Sequence, residues 1–367
     1  MVSNDPNFPD TGLQIKPSND NSNGEWDVKD SQEDIETFGI AGRVWEAAYA
    51  ARRFFSEASR PDGALEVEPT SSLFETSTTP QSINIVELGA GAGYGGLHLS
   101  KCLHEFLRRS RPEELQGGSR PRPRIILTDL PNVMPLMERN IAQAVAADDQ
   151  LSNAMDIQAK PCAWGDEPHA TAILQDITSD RVQTSQDDTP EQRLSHILAA
   201  DLVYFPELFP PLLRSLIWLS EPSSSSSTSP EVFFTYKVRS LVKEQSFWMV
   251  FCAWFQCEPV YCRPRVRDPN KEAPQWRRFG ERRSDLILSP AAASSVDASE
   301  DEDEADQQVF VFIARRKPHT LGWRPAEDDG ALMQGQRHKT DDATGEELTE
   351  RELDDTFEMI LMNSVML

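Results

Sequence analysis

Val86–Tyr94, which reads VELGAGAGY, is the segment that decides the fold of this chain. It joins an apolar run at residues 83–88 to residues 97–107, where leucines recur at helical spacing. Glycines between a strand and a helix let backbone N–H groups approach a ligand closely, and the helix N-terminus adds partial positive charge. The segment therefore predicts the first strand–loop–helix unit of a ligand-binding sheet.

Outward from this loop, short apolar runs alternate with amphipathic ones. Alternation of strands and helices indicates a parallel sheet with helices on both faces. The last two strands have no helix between them, so they must be antiparallel. We predict an α/β, Rossmann-like, doubly wound sheet of seven strands, mostly parallel, with an antiparallel last strand. The predicted strands are residues 83–88, 124–128, 156–162, 196–200, 231–236, 257–262 and 308–315, and the predicted helices are residues 42–55, 97–107, 132–147, 206–219 and 240–255.

Composition divides the chain into a domain and two tails. Residues 1–34 are predicted to be a disordered acidic tail, residues 35–325 a cofactor-binding domain, and residues 326–367 an acidic tail with at most a short helix. Residues 1–30 and 330–367 are expected to be dispensable for cofactor binding. Polar stretches within the domain cannot bury enough apolar surface to offset chain entropy. They are predicted loop insertions, at residues 59–81, 110–124, 178–193, 221–230 and 264–307.

The charge is uneven. The chain has 367 residues, 36 of them basic and 60 acidic, for a net charge of −24. Residues 1–40, 297–306 and 326–358 carry −7, −7 and −9, so the remainder is nearly neutral. An acidic chain is a poor match for nucleic acid. Residues 263–283 are an exception, with 8 basic and 3 acidic side chains. This segment could dock an acidic protein surface or tRNA, and the alternative is a solvated loop.

The five cysteines are loosely spaced and odd in number, which indicates reduced intracellular thiols and neither a disulfide framework nor a zinc site. No metal is expected. The chain shows no signal segment and no window of 18 apolar residues, so no membrane contact is expected. We expect a monomer in the cytoplasm, with the nucleus as an alternative, that does not bind nucleic acid.

Acidic and aromatic residues near the loop indicate the cofactor. Glu87 stands two residues before Gly89, where it would repel the pyrophosphate of a nicotinamide cofactor but suits a ligand with an ammonium and a sulfonium, such as S-adenosyl-L-methionine. Asp129, at the end of the second strand, is predicted to accept hydrogen bonds from both ribose hydroxyls. The alternative is that it caps the next helix. Trp164 can lie flat on adenine, with ordinary core packing as the alternative.

These motifs in this order resemble the seven-β-strand (non-SET) protein-lysine methyltransferases. That family includes the lysine methyltransferases of elongation factors, of valosin-containing protein and of Hsp70-type chaperones. The resemblance covers roughly residues 38–316, interrupted by the insertions. The matching segments are GRVWEAA at residues 42–48, ELGAG at 87–91, TDLP at 128–131 with Asn140-Ile141, Trp164-Gly165, and AADLVY at 199–204.

The resemblance implies that Asp201 and Tyr204, a D-x-x-Y element, face the methyl group and the substrate amine. Asp201 is expected to accept hydrogen bonds from the ammonium, and Tyr204 to make a cation–π contact with it. The alternative for Asp201 is a turn or cap. Arg239, after the fifth strand, either contacts the target or caps the sheet. The resemblance also implies contacts of S-adenosylmethionine with Trp45, Gly89, Ala90, Gly91, Asp129, Trp164 and Ala200.

We therefore expect a protein-lysine N-methyltransferase, with translation elongation factor 1-alpha as the first candidate substrate and a chaperone as the second. The chain lacks the [DN]-P-P-Y signature of enzymes that methylate planar nitrogens, which favours an aliphatic amine. Two alternatives stay open. One is an enzyme of the same fold that acts on RNA or a small molecule, and the other is a non-catalytic scaffold.

Overall fold

The structure is a computed structural model that describes residues 15–18, 30–75, 82–110, 122–179, 192–222, 228–268, 270, 272–286, 308–341 and 344–365. The strands of this part of the chain are β1 (Leu65–Glu68), β2 (Asn84–Leu88), β3 (Arg124–Asp129), β4 (Asp156–Pro161), β5 (His196–Ala200), β6 (Glu231–Lys237), β7 (Phe255–Pro259), β8 (Tyr261–Pro264), β9 (Arg277–Arg278), β10 (Val309–Arg316), β11 (Arg324–Pro325), β12 (Gln336–Thr340) and β13 (Glu347–Arg351). The α-helices are α1 (Gln32–Phe38), α2 (Glu46–Ala58), α3 (Tyr94–Ser110), α4 (Met134–Ala147), α5 (Asp149–Ala154), α6 (Glu167–Ser179), α7 (Phe209–Leu219), α8 (Leu241–Trp254), α9 (Asp329–Met333) and α10 (Thr356–Val365).

Seven of the described strands form the central sheet, in the order β4-β3-β2-β5-β6-β10-β7. The first five in this order are mutually parallel. β10 is antiparallel to both of its neighbours, β6 and β7. This topology confirms the predicted doubly wound fold. The strand order reverses between β2 and β5, and ligands of such sheets bind beside the carboxyl ends of the strands at that reversal.

Apolar layers cover both faces of the sheet. Ile126 and Phe234 pack in one layer with residues of α6, α7 and α8. Their chain neighbours Ile125 and Phe233 pack in the other layer with residues of α2 and α3. Because successive side chains of a strand point to opposite faces, strands buried on both sides have continuous apolar sequences.

The predicted strand at residues 257–262 is in fact divided between two sheets. β7 ends at Pro259, and β8 pairs with β1 in a separate sheet of order β1-β8-β9. A single apolar run does not reveal that its two halves have different partners. The prediction of an unfolded insertion at residues 59–81 is therefore wrong for β1 and for the 3₁₀ turn Ser72–Phe74.

The basic segment, residues 263–283, is bound into this second sheet. Arg263 Nε donates to Glu66 at 2.6 Å. Arg265 donates to the carbonyls of Gly63 and Leu65 at 3.1 and 3.2 Å. The guanidinium of Arg263 thus neutralises a carboxylate of β1, and that of Arg265 satisfies two backbone carbonyls. These contacts oppose the alternative of a solvated loop. The acidic run at 299–306 lies outside the described residues, as do more than half of each predicted insertion at 110–124, 178–193 and 264–307 and half of the one at 221–230.

The C-terminal segment, residues 326–367, is not the predicted tail. It contributes α9, β12, β13 and α10. Phe357 is 2% exposed and stacks on Trp248, with ring centroids 4.2 Å apart. Lys317 forms an ion pair with Asp354 at 2.6 Å. The acidic composition hid a few apolar anchors and several charges that have basic partners.

Part of the predicted N-terminal tail is also placed against the domain. The backbone N–H and the hydroxyl of Ser18 both donate to the carboxylate of Asp30 at 2.9 Å. The hydroxyl of Tyr49, on α2, donates to Ser18 Oγ at 2.7 Å. The remainder of residues 1–29 lies outside the described residues.

Two further observations concern the class of protein. All five cysteines are free and buried, as expected of reduced thiols packed in a core. None of the helices in the described ranges has both the length and the apolar character that crossing a bilayer requires.

Candidate active site

A cavity of about 250 Å³ lies beside the carboxyl ends of β2, β3, β5 and β6. It therefore occupies the reversal of strand order, where the fold favours ligand binding. The ten site residues predicted from the sequence all line it. They are Trp45, Glu87, Gly89, Ala90, Gly91, Asp129, Trp164, Ala200, Asp201 and Tyr204.

The glycine loop after β2 forms one wall, and its conformation requires glycine. Gly89 and Gly91 have φ angles of 57° and 52°, in the left-handed region. A Cβ atom on Gly91 would lie 2.8 Å from the carbonyl oxygen of Ala41. The N–H of Ala90 donates to the carbonyl of Thr128 at 2.8 Å, which ties the loop to β3. The loop is thus held where only a backbone without a side chain fits.

Asp129 connects this loop to the end of β3. Its Oδ2 accepts the N–H of Gly91 at 2.8 Å, and its Oδ1 accepts the N–H of Leu130 at 2.7 Å. An ionised carboxylate is purely an acceptor, with about four lone-pair sites, which is the chemistry that ribose hydroxyls require. The carboxylate thus ties the glycine loop to the residue that follows β3.

Glu87 is a buried carboxylate in the cavity wall, with 2% of its surface exposed. Its Oε2 accepts the N–H of Gly96 at 2.9 Å, and within the described residues Oε1 has no hydrogen-bond partner. Burial raises the pKa of Glu87 to about 8, against the lowering effect of Gly96, and the charge of Asp129 raises it further. A buried oxygen of this kind fits a ligand with an ammonium group, because a cation would satisfy it and lower its pKa.

Asp201 is not the open carboxylate that its motif suggested. It is the only non-glycine residue with a positive φ in the described part of the chain, at 64°. Its Oδ1 and Oδ2 accept Nη1 and Nη2 of Arg239 at 2.8 and 2.6 Å. The carboxylate of Asp201 thus already has a cationic partner, Arg239. This pairing opposes the expectation that Asp201 receives the substrate ammonium directly.

Arg239 also contacts the aromatic wall of the cavity. Its Cζ lies 5.6 Å from the ring centroid of Trp45, and the Cζ of Arg43 lies 4.4 Å from the same centroid. The indole is fixed by a hydrogen bond from its Nε1 to the carbonyl of Ile40 at 3.0 Å. Arg43 was not predicted as a site residue, although it stands two residues before Trp45 in the GRVW motif.

Tyr204 lies between Trp164 and Phe205, with ring centroids 6.3 and 4.9 Å away. Burial raises the pKa of the Tyr204 phenol well above its usual value, and the charges of Asp129 and Asp201 add to the shift. Tyr204 therefore keeps its proton at physiological pH, so its hydroxyl is chemically a potential hydrogen-bond donor and not a base.

Ile15 is a cavity residue that the sequence did not reveal. It belongs to the short N-terminal segment that Ser18 fixes to Asp30 and Tyr49. A single isoleucine in a polar acidic stretch gives no periodic signal, so composition alone placed it in a disordered tail.

No group of three or more His, Cys, Asp or Glu side chains in the described ranges is arranged to hold a metal ion.

Comparison with known proteins gives one family and several distant structures. A family model described as lysine methyltransferase matches residues 27–251. Precorrin-6y C5,15-methyltransferase from Geobacter metallireducens GS-15 is 9% identical, with a TM-score of 0.28, and the match covers 67% of this chain and 86% of that one. The rRNA methyltransferase aviRa from Streptomyces viridochromogenes is 15% identical, with a TM-score of 0.27, and the match covers 44% of this chain and 69% of that one.

Proposed function

This chain belongs to the lysine methyltransferase family, and on that premise we propose that it methylates the side-chain amine of a lysine in a protein. Methyltransferase activity and dependence on S-adenosylmethionine follow from the family. The lysine acceptor is the proposal. The observation that supports it is that the glycine loop, the carboxylates and the D-x-x-Y element line one cavity at the reversal of the sheet.

We assign the cofactor-binding roles as follows. S-adenosylmethionine supplies a methyl group on a positively charged sulfur. Gly89, Ala90 and Gly91 shape the wall against which it lies, and Asp129 accepts its ribose hydroxyls. Glu87 would hold its cationic groups, in accord with the missing partner of Oε1. The indole rings of Trp164 and Trp45, with Ala200, complete the pocket.

The acceptor must be a neutral amine when it attacks, although a free lysine has a pKa near 10.4. Glu87 and Asp129 are assigned to the cofactor, and the other described residues that line the cavity supply no strong base for the proton. Tyr204 keeps its own proton, the carboxylate of Asp201 is paired with Arg239, and no histidine is among the described residues that line the cavity. The protein therefore acts mainly by holding the amine in line with the methyl group. Tyr204 orients the amine with its hydroxyl and ring.

The nature of the target is a further part of the proposal. Elongation factor 1-alpha is the first candidate and a chaperone the second, on family resemblance alone. The net charge of −24 and the internal pairing of Arg263 and Arg265 oppose an RNA substrate. We also propose residues 35–325 as the methyltransferase domain, with the described C-terminal segment as an integral addition to it.

The test is methyl labelling with the full chain. Purified protein is incubated with tritiated S-adenosylmethionine and either purified elongation factor 1-alpha or fractionated lysate from cells that lack this protein. Labelled protein is hydrolysed, and we expect the tritium in methylated lysine. The Asp129→Ala variant, which loses the acceptor of the Gly91 N–H, is the inactive control. Tritium confined to RNA or to small molecules would overturn the proposal.

A further inference from the structure

The ion pair of Asp201 and Arg239 is held rigidly in the part of the cavity wall that contains the D-x-x-Y element, which we call the acceptor end. Asp201 is 4% exposed, and its N–H donates to the carbonyl of Thr235 at 2.8 Å. Arg239 is fixed in turn, because its N–H donates to Glu244 Oε2 and its Nη1 to the carbonyl of Lys237, both at 3.2 Å. The two side chains therefore meet in one geometry before any substrate arrives.

Other charges surround the pair from each neighbouring element. Glu46 of α2 and Glu244 of α8 act on Arg239 electrostatically. Arg43 lies over the same indole as Arg239 and pairs with Glu46 at 2.8 Å. Asp129, Asp201, Arg239 and Glu207 all act electrostatically on Tyr204. In this arrangement Arg239 is the cation bonded to both oxygens of Asp201.

An unpaired carboxylate at this position would work against methyl transfer. In a partly dry site, a negative charge within about 4–6 Å stabilises an ammonium over an amine. The lysine would then enter as an ammonium, whose nitrogen has no lone pair to attack with. A carboxylate already bound by a guanidinium exerts little net field on the amine and still offers hydrogen-bond acceptors.

We propose that Arg239 is a positioning residue that sets the protonation state of the acceptor: by neutralising Asp201, it lets the lysine amine bind without its proton. The inference rests on the proposed lysine acceptor. In this proposal Asp201 is not a direct ligand of the substrate ammonium. Its carboxylate is one half of a neutral ion pair with Arg239.

The test uses a cofactor analogue in place of the unidentified target. In this probe a nitrogen replaces the sulfur of S-adenosylmethionine and carries a short carbon arm that ends in a primary amine. In the matched probe the arm ends in a methyl group. Calorimetry in two buffers with different heats of ionisation gives the protons released on binding, at a pH near 8. The difference between the two probes reports the terminal amine alone.

We expect the unaltered protein to release about one more proton with the amine probe than with the methyl probe. Arg239→Met exposes the carboxylate and should abolish the extra release, because the pKa of the bound amine rises by roughly two units at an effective dielectric constant near 20. Arg239→Lys, Asp201→Asn and the double variant Asp201→Asn/Arg239→Met should all retain the extra release. If Arg239 acted only in folding, the extra proton release would not depend on whether a variant leaves an unpaired carboxylate.

Two results would overturn the inference. In the first, Arg239→Met releases the same number of protons as the unaltered protein. In the second, the unaltered protein binds the terminal amine with its proton. A variant that has lost its fold is recognised by its failure to bind the methyl probe, and the double variant, which has no unpaired charge, then carries the comparison. If the unaltered protein binds both probes with equal affinity and equal proton release, the amine has no site, and the proposed lysine acceptor fails with it.

Discussion

At the scale of single residues, Gly91 shows how one methyl group can close the cofactor site. Its φ is 52°, and a Cβ atom would lie 2.8 Å from a backbone oxygen, that of Ala41, which cannot rotate away. We expect Gly91→Ala to lower the affinity for S-adenosylmethionine at least about tenfold. The added methyl group costs roughly 1–2 kcal/mol of left-handed backbone strain, and it also forces the loop to move away from Ala41. Calorimetric titration measures the change.

Gly345 supplies the control for this substitution. It also has a positive φ, of 70°, but a Cβ atom there would meet nothing within 4 Å. Gly345→Ala therefore adds similar backbone strain without a contact, and its cofactor affinity should equal that of the unaltered protein. Equal effects of the two substitutions would show that strain, and not the approach to Ala41, matters.

Glu87 should give the stability of the protein a distinct pH dependence. Its pKa is about 8 in the folded chain, above the ordinary value of 4.5, so folding retains a proton that the unfolded chain has lost. The resulting stability is fully present below about pH 4.5 and is lost as the pH rises through about 8. Between about pH 6 and pH 8.5, the free energy of unfolding should fall by on the order of 2 kcal/mol more than that of Glu87→Gln. Urea unfolding of both proteins without cofactor tests this, and parallel pH curves would contradict it.

Ten residues of the site could be predicted from the sequence, but not Ile15, Arg43 or the pairings among the charged side chains. Glu87 is the second-to-last residue of β2, Asp129 ends β3 and Asp201 follows β5, and a parallel sheet brings such positions to one edge. The bond between Asp201 and Arg239 depends on a backbone torsion and on the meeting of two strand ends, and no spacing in the chain encodes either. Asp201 therefore lies in the cavity, where the sequence predicted it, but its carboxylate is paired with Arg239 and is not open to the substrate.

At the scale of elements, the segment of residues 15–18 should contribute to cofactor binding. Ile15 lines the cavity, and Ser18 connects the segment to α2 through Tyr49. We expect Ile15→Ala to weaken binding of S-adenosylmethionine by roughly fivefold, as the loss of a partly buried aliphatic contact implies. Lys16→Ala, one position along at an exposed side chain, is the matched control and should bind normally. Equal affinity of both variants and the unaltered protein would restore the view that this segment is dispensable.

Most strands of the central sheet could be predicted because they are short apolar runs bounded by polar loops, although the edge strand β4 reads DIQAKP and gives a weaker signal. Elements with weak apolar content could not. α6 has three buried side chains, Ala170, Ile173 and Ile177, in an otherwise polar stretch. β1 and β8 are four residues each, and they become strands only by pairing with each other across nearly 200 residues of sequence.

At the scale of the whole molecule, the C-terminal segment should behave as part of the folded core. Phe357 stacks on Trp248 and is buried. We expect Phe357→Ala to lower the free energy of unfolding by about 3–5 kcal/mol. Met359→Ala, on the same helix but at a side chain with 57% exposure, should change it by less than about 0.5 kcal/mol. Urea unfolding followed by tryptophan fluorescence compares them. If both variants unfold like the unaltered protein, α10 is not part of the core.

The position of β10 between β6 and β7 has a consequence for synthesis on the ribosome. The last described residue that lines the cavity is Arg239, whereas β10 begins at Val309. A nascent chain therefore contains every described residue that lines the cavity while β6 still has a bare hydrogen-bonding edge. At about 5–20 residues per second, the missing stretch of about 80 residues takes roughly 4–16 seconds to emerge. During that interval the growing polypeptide has an open strand edge next to apolar surface, the kind of surface that chaperones bind and through which unfinished chains aggregate.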